Sequence, residues 1–343
     1  MCRVIFIIPY FGRFPNYFQL VLNSIKQNMD FNWLIFTDNN EKYDYPKNVE
    51  VIKIGFDELK EKIQKKFDFK ISLEKPYKLC DFKPTYGYVF EEYIKNYDFW
   101  GYCDIDVIFG KLSHFITEEL LSKYEKIFLY GHMTLYKNTR KNNMRFMKSY
   151  KQELLYKKYL SSPKNYAFDE VWNGSINDIY RELGIDIYEV KLCADILPEE
   201  ADFRLSLWHN REYLFEFKEK KRVSLFTYEN GEINRYFIKD YNMEKLEYMY
   251  IHLQKRKMKV NRSVLSSQNF MIIPNKFKVL NENITNENYK KLSKRQIDSY
   301  YLLSLFNEKK IKIKRETIIL LSMICPNIFK RYIKIIRIKI NEK

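Results

Sequence analysis

The sequence predicts an α/β fold built on a mostly parallel sheet. Apolar runs of strand length alternate with segments of helical spacing, the first run is apolar without interruption, and polar or acidic residues gather just beyond the runs. Residues 4–8 are the first strand, apolar throughout as a strand covered on both faces requires. Pro9, Tyr10, Phe11 and Gly12 form the turn after it. Residues 17–27 have helical spacing through Phe18, Val21, Leu22 and Ile25. Residues 33–37 are the second strand, ending at Asp38-Asn39-Asn40, and 49–54 the third, followed by a charged helix from Phe56 to about Phe67. A helix over 84–96 leads into a strand that ends at Asp104. Residues 127–130 and 133–136 read as short strands around Gly131-His132, and 138–160 as a long basic helix. Residues 168–183 read as a helix with Asp169-Glu170 in its first turn. Strands over 222–227 and 234–238 flank Asn230-Gly231, a strong hairpin signal. A strand over 246–253 runs into His252-Leu253-Gln254-Lys255-Arg256-Lys257. Residues 270–273 and 277–280 close the sheet region, and the final 60 residues read as helical.

Composition narrows the function. With 343 residues, 46% of them hydrophobic, the chain holds one large domain or one domain plus an appendage. We divide it into residues 1–285 and a helical extension, 286–343. The net charge of +16 suits an anionic partner, although the wealth of Lys, Ile, Asn, Tyr and Phe is a bias that an AT-rich genome also produces. Five dispersed cysteines without C-x-x-C spacing speak against a disulfide framework or a zinc site and fit a reducing cytoplasm. The N-terminal apolar run is too short for a signal peptide, and no run of about 18 apolar residues predicts a spanning helix. Neither GxGxxG nor GxxxxGK[ST] occurs, which excludes the usual dinucleotide and P-loop sites.

The chemistry concentrates in Asp104-Ile105-Asp106, the one D-x-D of the chain. A bare D-x-D arises about once by chance in a chain of this length, so its position matters more than its presence. Acids at i and i+2 of an extended segment share a face, roughly 7 Å apart. Two hard carboxylates at the end of a core strand can seat Mg²⁺ or Mn²⁺ carrying a diphosphate. In open α/β sheets ligands lie beyond the carboxyl ends of the strands, where Pro9, Tyr10, Asp38, Asp104 and Asp106 all fall. His252 ends a strand and precedes three basic residues, which raises it from a hydrogen-bonded structural histidine to a candidate ligand. Lys255 and Lys257 are candidates for neutralising a departing diphosphate, against the alternative of a solvated loop. Asp169 and Glu170 are either a general base for an acceptor hydroxyl or acids favouring a helix N-terminus.

The stretch KLCDFKPTYGYVFEEYIKNYDFWGYCDIDVIFG, residues 78–110, resembles a family of uncharacterised bacterial proteins regarded as capsule or O-antigen glycosyltransferases. With the late YIHLQKRK it is similar to GT-A fold glycosyltransferases, a Rossmann-type mixed sheet with flanking helices. The resemblance spans about residues 3–280. It implies a nucleoside-diphosphate sugar donor and Mn²⁺ or Mg²⁺. Carried over by residue, Asp104 meets ribose and metal, Asp106 and His252 bind the metal, and Pro9, Tyr10 and Asp38 frame the base. Lys78, Asp81 and Lys83 then lie near the nucleotide, and His132 faces the acceptor. The sequence has His-Leu-Gln-Lys-Arg where better-known families have a histidine–glycine pattern, so the basic cluster has no inherited role.

Residues 308–343 hold eleven Lys or Arg against three Glu, a net +8. Phe329, Ile333, Ile336 and Ile340 recur at helical spacing among these charges. The stretch reads either as a basic amphipathic helix on an anionic membrane or as a helix packed on the catalytic domain. Alternation over 333–340 also suits a strand. The expectation is a cytoplasmic, metal-dependent glycosyltransferase, peripheral at the inner face of the plasma membrane, acting on a glycan or lipid-linked glycan acceptor. Two alternatives stand beside it. A sugar-phosphate nucleotidyltransferase lacks its glycine-rich loop here, since Ile8-Pro9-Tyr10-Phe11-Gly12-Arg13 offers one glycine. The other is a non-catalytic basic protein that binds membrane or nucleic acid; a nucleic-acid binder would carry its charge as one continuous face, whereas this chain concentrates it at the end, so no nucleic acid is expected.

Overall fold

A computed structural model describes residues 2–189, 193–196, 203–206, 216–218, 225–254, 256–293 and 306. The fold is mixed α/β. Strands β1 (Val4–Pro9), β2 (Phe31–Thr37), β3 (Val49–Lys53) and β4 (Phe99–Cys103) lie parallel in the order β3-β2-β1-β4. Side chains alternate across this sheet, so β1 feeds two cores. Val4, Phe6 and Ile8 join the layer containing α1 (Phe18–Lys26), and Ile5 and Ile7 join the layer containing α2 (Phe56–Gln64). Helix α1 forms because Phe18, Val21, Leu22 and Ile25 recur on one face and are all buried. Each such burial stabilises by about 1.5–3 kcal/mol.

After β4 the chain turns through Asp104-Ile105-Asp106 into β5 (Val107–Phe109), which leaves the first sheet. β6 (Lys126–Ile127), β7 (Met133–Lys137) and β8 (Ile187–Tyr188) complete that sheet, with β7 antiparallel to β4 and to β6. β9 (Cys193–Asp195), β10 (Arg204–Ser206) and β11 (Glu216–Lys218) belong to a second sheet. β12 (Leu225–Glu229), β13 (Glu232–Lys239) and β14 (Asn242–Tyr248) form a meander in a third. β15 (Tyr250–His252) then returns to the second sheet, parallel to β9 and antiparallel to β5. β16 (Asn269–Ile273) and β17 (Lys276–Val279) close the third sheet beside β12.

Several expected elements are cut shorter. The strand over 246–253 is two strands in different sheets, with the switch at Met249. The helix over 84–96 is a 3₁₀ turn and two short helices, Tyr86–Val89 and Glu91–Ile94. The basic helix over 138–160 is interrupted at Lys151 and Gln152, whose φ values of 48° and 65° no right-handed helix accommodates. Its remaining pieces include Arg140–Asn143 and Leu155–Leu160. The helix over 168–183 starts only at Ile176. The hairpin turn does fall at Asn230-Gly231, both with positive φ as a type I′ turn needs. Among the described residues no helix is long and apolar enough to cross a membrane. Helix Asn286–Leu292 opens the C-terminal extension, while the basic stretch 308–343 lies outside the described residues.

Candidate functional site

Asp104 and Asp106 are not successive same-face residues of a strand. They sit in the turn where the chain passes from the first sheet to the second. Its backbone is held at both ends: Asp104 N–H donates to His132 O at 3.2 Å, and Leu253 N–H donates to Asp106 O at 3.0 Å. The second bond ties the turn to the end of β15. In register there, His252 lies between Val107 of β5 and Asp195 of β9. Two segments distant in sequence, the turn after β4 and the end of β15, therefore bring three ligands of two types together. His252 Nε2 is 3.4 Å from both Asp104 Oδ2 and Asp106 Oδ1. Ligand atoms of Asp104, Asp106 and His252 all lie within 4.8 Å of one another. Two carboxylates and one imidazole suit a hard to borderline divalent cation such as Mn²⁺, so the residues present fit the group.

The trio lies at the wall of a cavity of about 510 Å³. Pro9, Tyr10 and Phe11 line it from the end of β1, Tyr77, Cys80 and Lys83 from the segment before β4, and Asp169 and Glu170 from the loop after Ala167. Lys83 is its electrostatic hinge. Its Nζ donates to Asp104 Oδ1 at 2.7 Å and Gly131 O at 2.8 Å, and pairs with Asp169 Oδ2 at 3.1 Å. Burial opposes the charge on Lys83, but Asp104 and Asp169 hold its pKa well above the usual lysine value. Burial likewise disfavours an ionised Asp104, yet Lys83 and His252 outweigh it and keep the carboxyl below its ordinary range. Burial also disfavours a charged His252, but Asp106 and Asp195 raise its pKa well above the ordinary value.

Asp169 and Glu170 behave differently. Burial first, and then neighbouring carboxylates, push Asp169 up to about 6 and Glu170 up to about 8. They occupy turns ahead of helix Ile176–Glu182, so the helix-capping reading does not hold for them. Gly131 is what lets them approach: a Cβ there would overlap Asp169 Oδ2 and Glu170 Oε1.

Other expected residues lie elsewhere. Lys78 and Asp81 are buried and do not line the cavity. Lys78 Nζ donates to Asp81 Oδ2 at 2.6 Å, to Tyr159 O at 2.9 Å and to Lys164 O. Asp81 in turn accepts from Tyr166 N–H and Phe168 N–H, each at 3.0 Å. Their polar groups are used in shaping the loop that delivers Asp169. Asp38 is also off the cavity wall: it accepts from Gly12 N–H at 2.7 Å and fixes the turn after β1. His132 is buried behind the site, not facing the cavity, with its ring stacked 4.6 Å from His252. Lys257 is exposed and away from the cavity, and Lys255 lies outside the described residues. Arg256 is spent on Asn275 Oδ1, 2.7 Å from its Nη2.

Sequence reasoning missed Asp195, Gln254 and the role of Gly131. Asp195 Oδ1 lies 3.1 Å from His252 Nδ1, and Gln254 Nε2 donates to Asp195 Oδ2 at 2.7 Å. The available signal was weak: a lone acid after two small or apolar residues in a three-residue strand.

No curated protein matches the sequence. A family model does, over residues 6–281, a stretch that includes both the turn and the strand that carry the aspartate–histidine trio. The chain belongs to the family of unknown function DUF6625.

Proposed function

We propose that this protein is a metal-dependent glycosyltransferase of GT-A architecture, moving a sugar from a nucleoside-diphosphate donor to a hydroxyl of a bacterial surface glycan. One observation carries the reading: Asp104, Asp106 and His252 converge, from segments far apart in sequence, on one cavity. Bound Mn²⁺ or Mg²⁺ supplies Lewis-acid stabilisation of the diphosphate leaving group. Asp104, Asp106 and His252 would hold it. Pro9, Tyr10 and Phe11 offer an apolar wall for the base end of the donor. Lys83 keeps Asp104 ionised and separates it from Asp169.

Asp169 or Glu170 takes the proton from the acceptor hydroxyl. A carboxyl raised toward neutrality is a better base than an ordinary one, because proton affinity and availability balance near the operating pH. A cavity beyond the carboxyl ends of the parallel strands β1 and β4 supports the reading, and the absence of a glycine-rich phosphate loop leaves binding of the diphosphate to a cation and side chains. The tail's net +8 supports association with an anionic membrane bearing a lipid-linked acceptor. A thermal-shift screen of nucleoside diphosphates tests the donor class. Stabilisation by at least one of them in Mn²⁺, absent in EDTA, is expected; no stabilisation by any overturns it.

A further inference from the structure

We propose that Asp195 is a positioning residue that fixes the tautomer and ring plane of His252, so that the Nε2 lone pair faces the space between Asp104 and Asp106. This rests on the metal-centre reading above. The register of the second sheet sets Asp195 directly beside His252. Asp195 Oδ1 and His252 Nδ1 are 3.1 Å apart and both atoms are buried; neither makes a well-aligned hydrogen bond to any group, so each is the partner within reach that a small turn of ring or carboxylate would satisfy. The second oxygen of Asp195 is anchored by Gln254 Nε2 at 2.7 Å, so the carboxylate cannot swing away freely. On the ring's face, His132 stacks at 4.6 Å and 20°, and His132 Nδ1 is itself 2.7 Å from Tyr250 Oη. The imidazole thus has Asp195 beside its Nδ1 and His132 against its face.

The chemistry follows from the two ring nitrogens. A neutral imidazole carries one N–H. With the proton on Nε2, that nitrogen would point a hydrogen at the cation and could not ligate it. A carboxylate beside Nδ1 is an acceptor only, so it favours the proton on Nδ1 and leaves the Nε2 lone pair free. It also makes the imidazole a stronger donor to the cation. Asn at this position has nearly the same shape but can present an N–H to Nδ1. That stabilises the opposite tautomer and aims Nε2–H at the cation.

Titration with Mn²⁺ alone, followed by electron paramagnetic resonance, separates the possibilities across native protein, Asp195→Asn and Asp106→Asn. Asp195→Asn should weaken Mn²⁺ about 10- to 100-fold, with a near-native melting temperature in chelator. Nitrogen chemical shifts of His252 in the metal-free protein at alkaline pH give a second readout, which a merely structural role would not move. The native protein should show the Nδ1–H tautomer and Asp195→Asn the Nε2–H tautomer. Unchanged Mn²⁺ affinity in Asp195→Asn, while Asp106→Asn loses binding, overturns the role of Asp195 alone. No Mn²⁺ binding by the native protein overturns the metal centre with it. If Asp195→Asn does not fold, Gln254→Ala takes its place: a several-fold weaker Mn²⁺ affinity is expected, and native affinity overturns the inference.

Discussion

Lys83 donates to Asp104 at 2.7 Å from a position 21 residues upstream, and the same ammonium reaches Asp169. One cation thus joins a carboxylate of the proposed metal trio to the carboxyl proposed to face the acceptor. Its three acceptors, Asp104 Oδ1, Asp169 Oδ2 and Gly131 O, exhaust the donor capacity of an ammonium.

Lys83→Met should therefore destabilise the fold. Two acids would be left facing each other without a cation, and breaking a buried pair from one side costs about 3 kcal/mol or more. Chemical denaturation of the metal-free protein checks this. A loss within experimental error of zero would show that Lys83 is not the hinge of the site.

Gly131→Ala should leave Mn²⁺ binding near native but cut transfer about 100-fold, the scale expected when reacting groups move by roughly 1 Å. The added methyl displaces Asp169 and Glu170, not the trio. Parallel measurement of metal affinity and kcat for transfer separates the two halves of the site. Equal loss in both would mean that the halves are not separable.

Metal affinity should rise with pH through neutrality. His252 carries its proton in the metal-free protein, held there by Asp106 and Asp195 against burial, and that proton must leave for Nε2 to ligate. Below the raised folded pKa the apparent affinity falls by up to tenfold per pH unit. Mn²⁺ titrations at a series of pH values upward from that of an ordinary histidine (about 6.5) should show this slope. It should disappear in His252→Ala, which binds weakly throughout.

Much of this was legible in the sequence, for physical reasons. An uninterrupted apolar run such as residues 4–8 has few options besides a strand covered on both faces, and Asn230-Gly231 supplies the left-handed backbone that its turn needs. Asp104, Asp106 and His252 stood out because the one D-x-D of the chain ends an apolar run and the histidine ends another, just ahead of three basic residues. The switch between sheets at Met249 was not legible, since Tyr248-Met249-Tyr250 stays apolar across the bend, and Asp104-Ile105-Asp106 marked a strand end without showing that the next strand joins another sheet. Lys78 and Asp81 carry the residue types of a ligand site, yet satisfy each other and a loop. Only tertiary structure distinguishes those uses. Asp195 was invisible because its meaning lies in a parallel neighbour 57 positions later, His252.

Glu170→Gln should flatten the pH dependence of stability. The folded protein keeps a proton on Glu170 up to about pH 8, whereas an ordinary glutamate sheds it near 4.5. The folded state thus binds more protons across that window, so stability falls as pH rises through it. The glutamine variant loses this contribution, and Asp169 alone leaves a smaller decline ending near its own value of about 6. Melting temperatures from pH 5 to pH 8.5 (bracketing the two raised carboxyls) check the sign. A steeper decline in the variant would contradict it.

The most direct measurement is turnover of nucleoside-diphosphate sugars by native protein and Asp106→Asn, each in Mn²⁺ and in excess EDTA. We expect at least one sugar nucleotide to be cleaved by the native protein in Mn²⁺, with activity abolished by EDTA and by Asp106→Asn while the variant's fold in chelator is retained. Full turnover in EDTA, or full turnover by Asp106→Asn, would contradict a metal centre built on Asp104, Asp106 and His252.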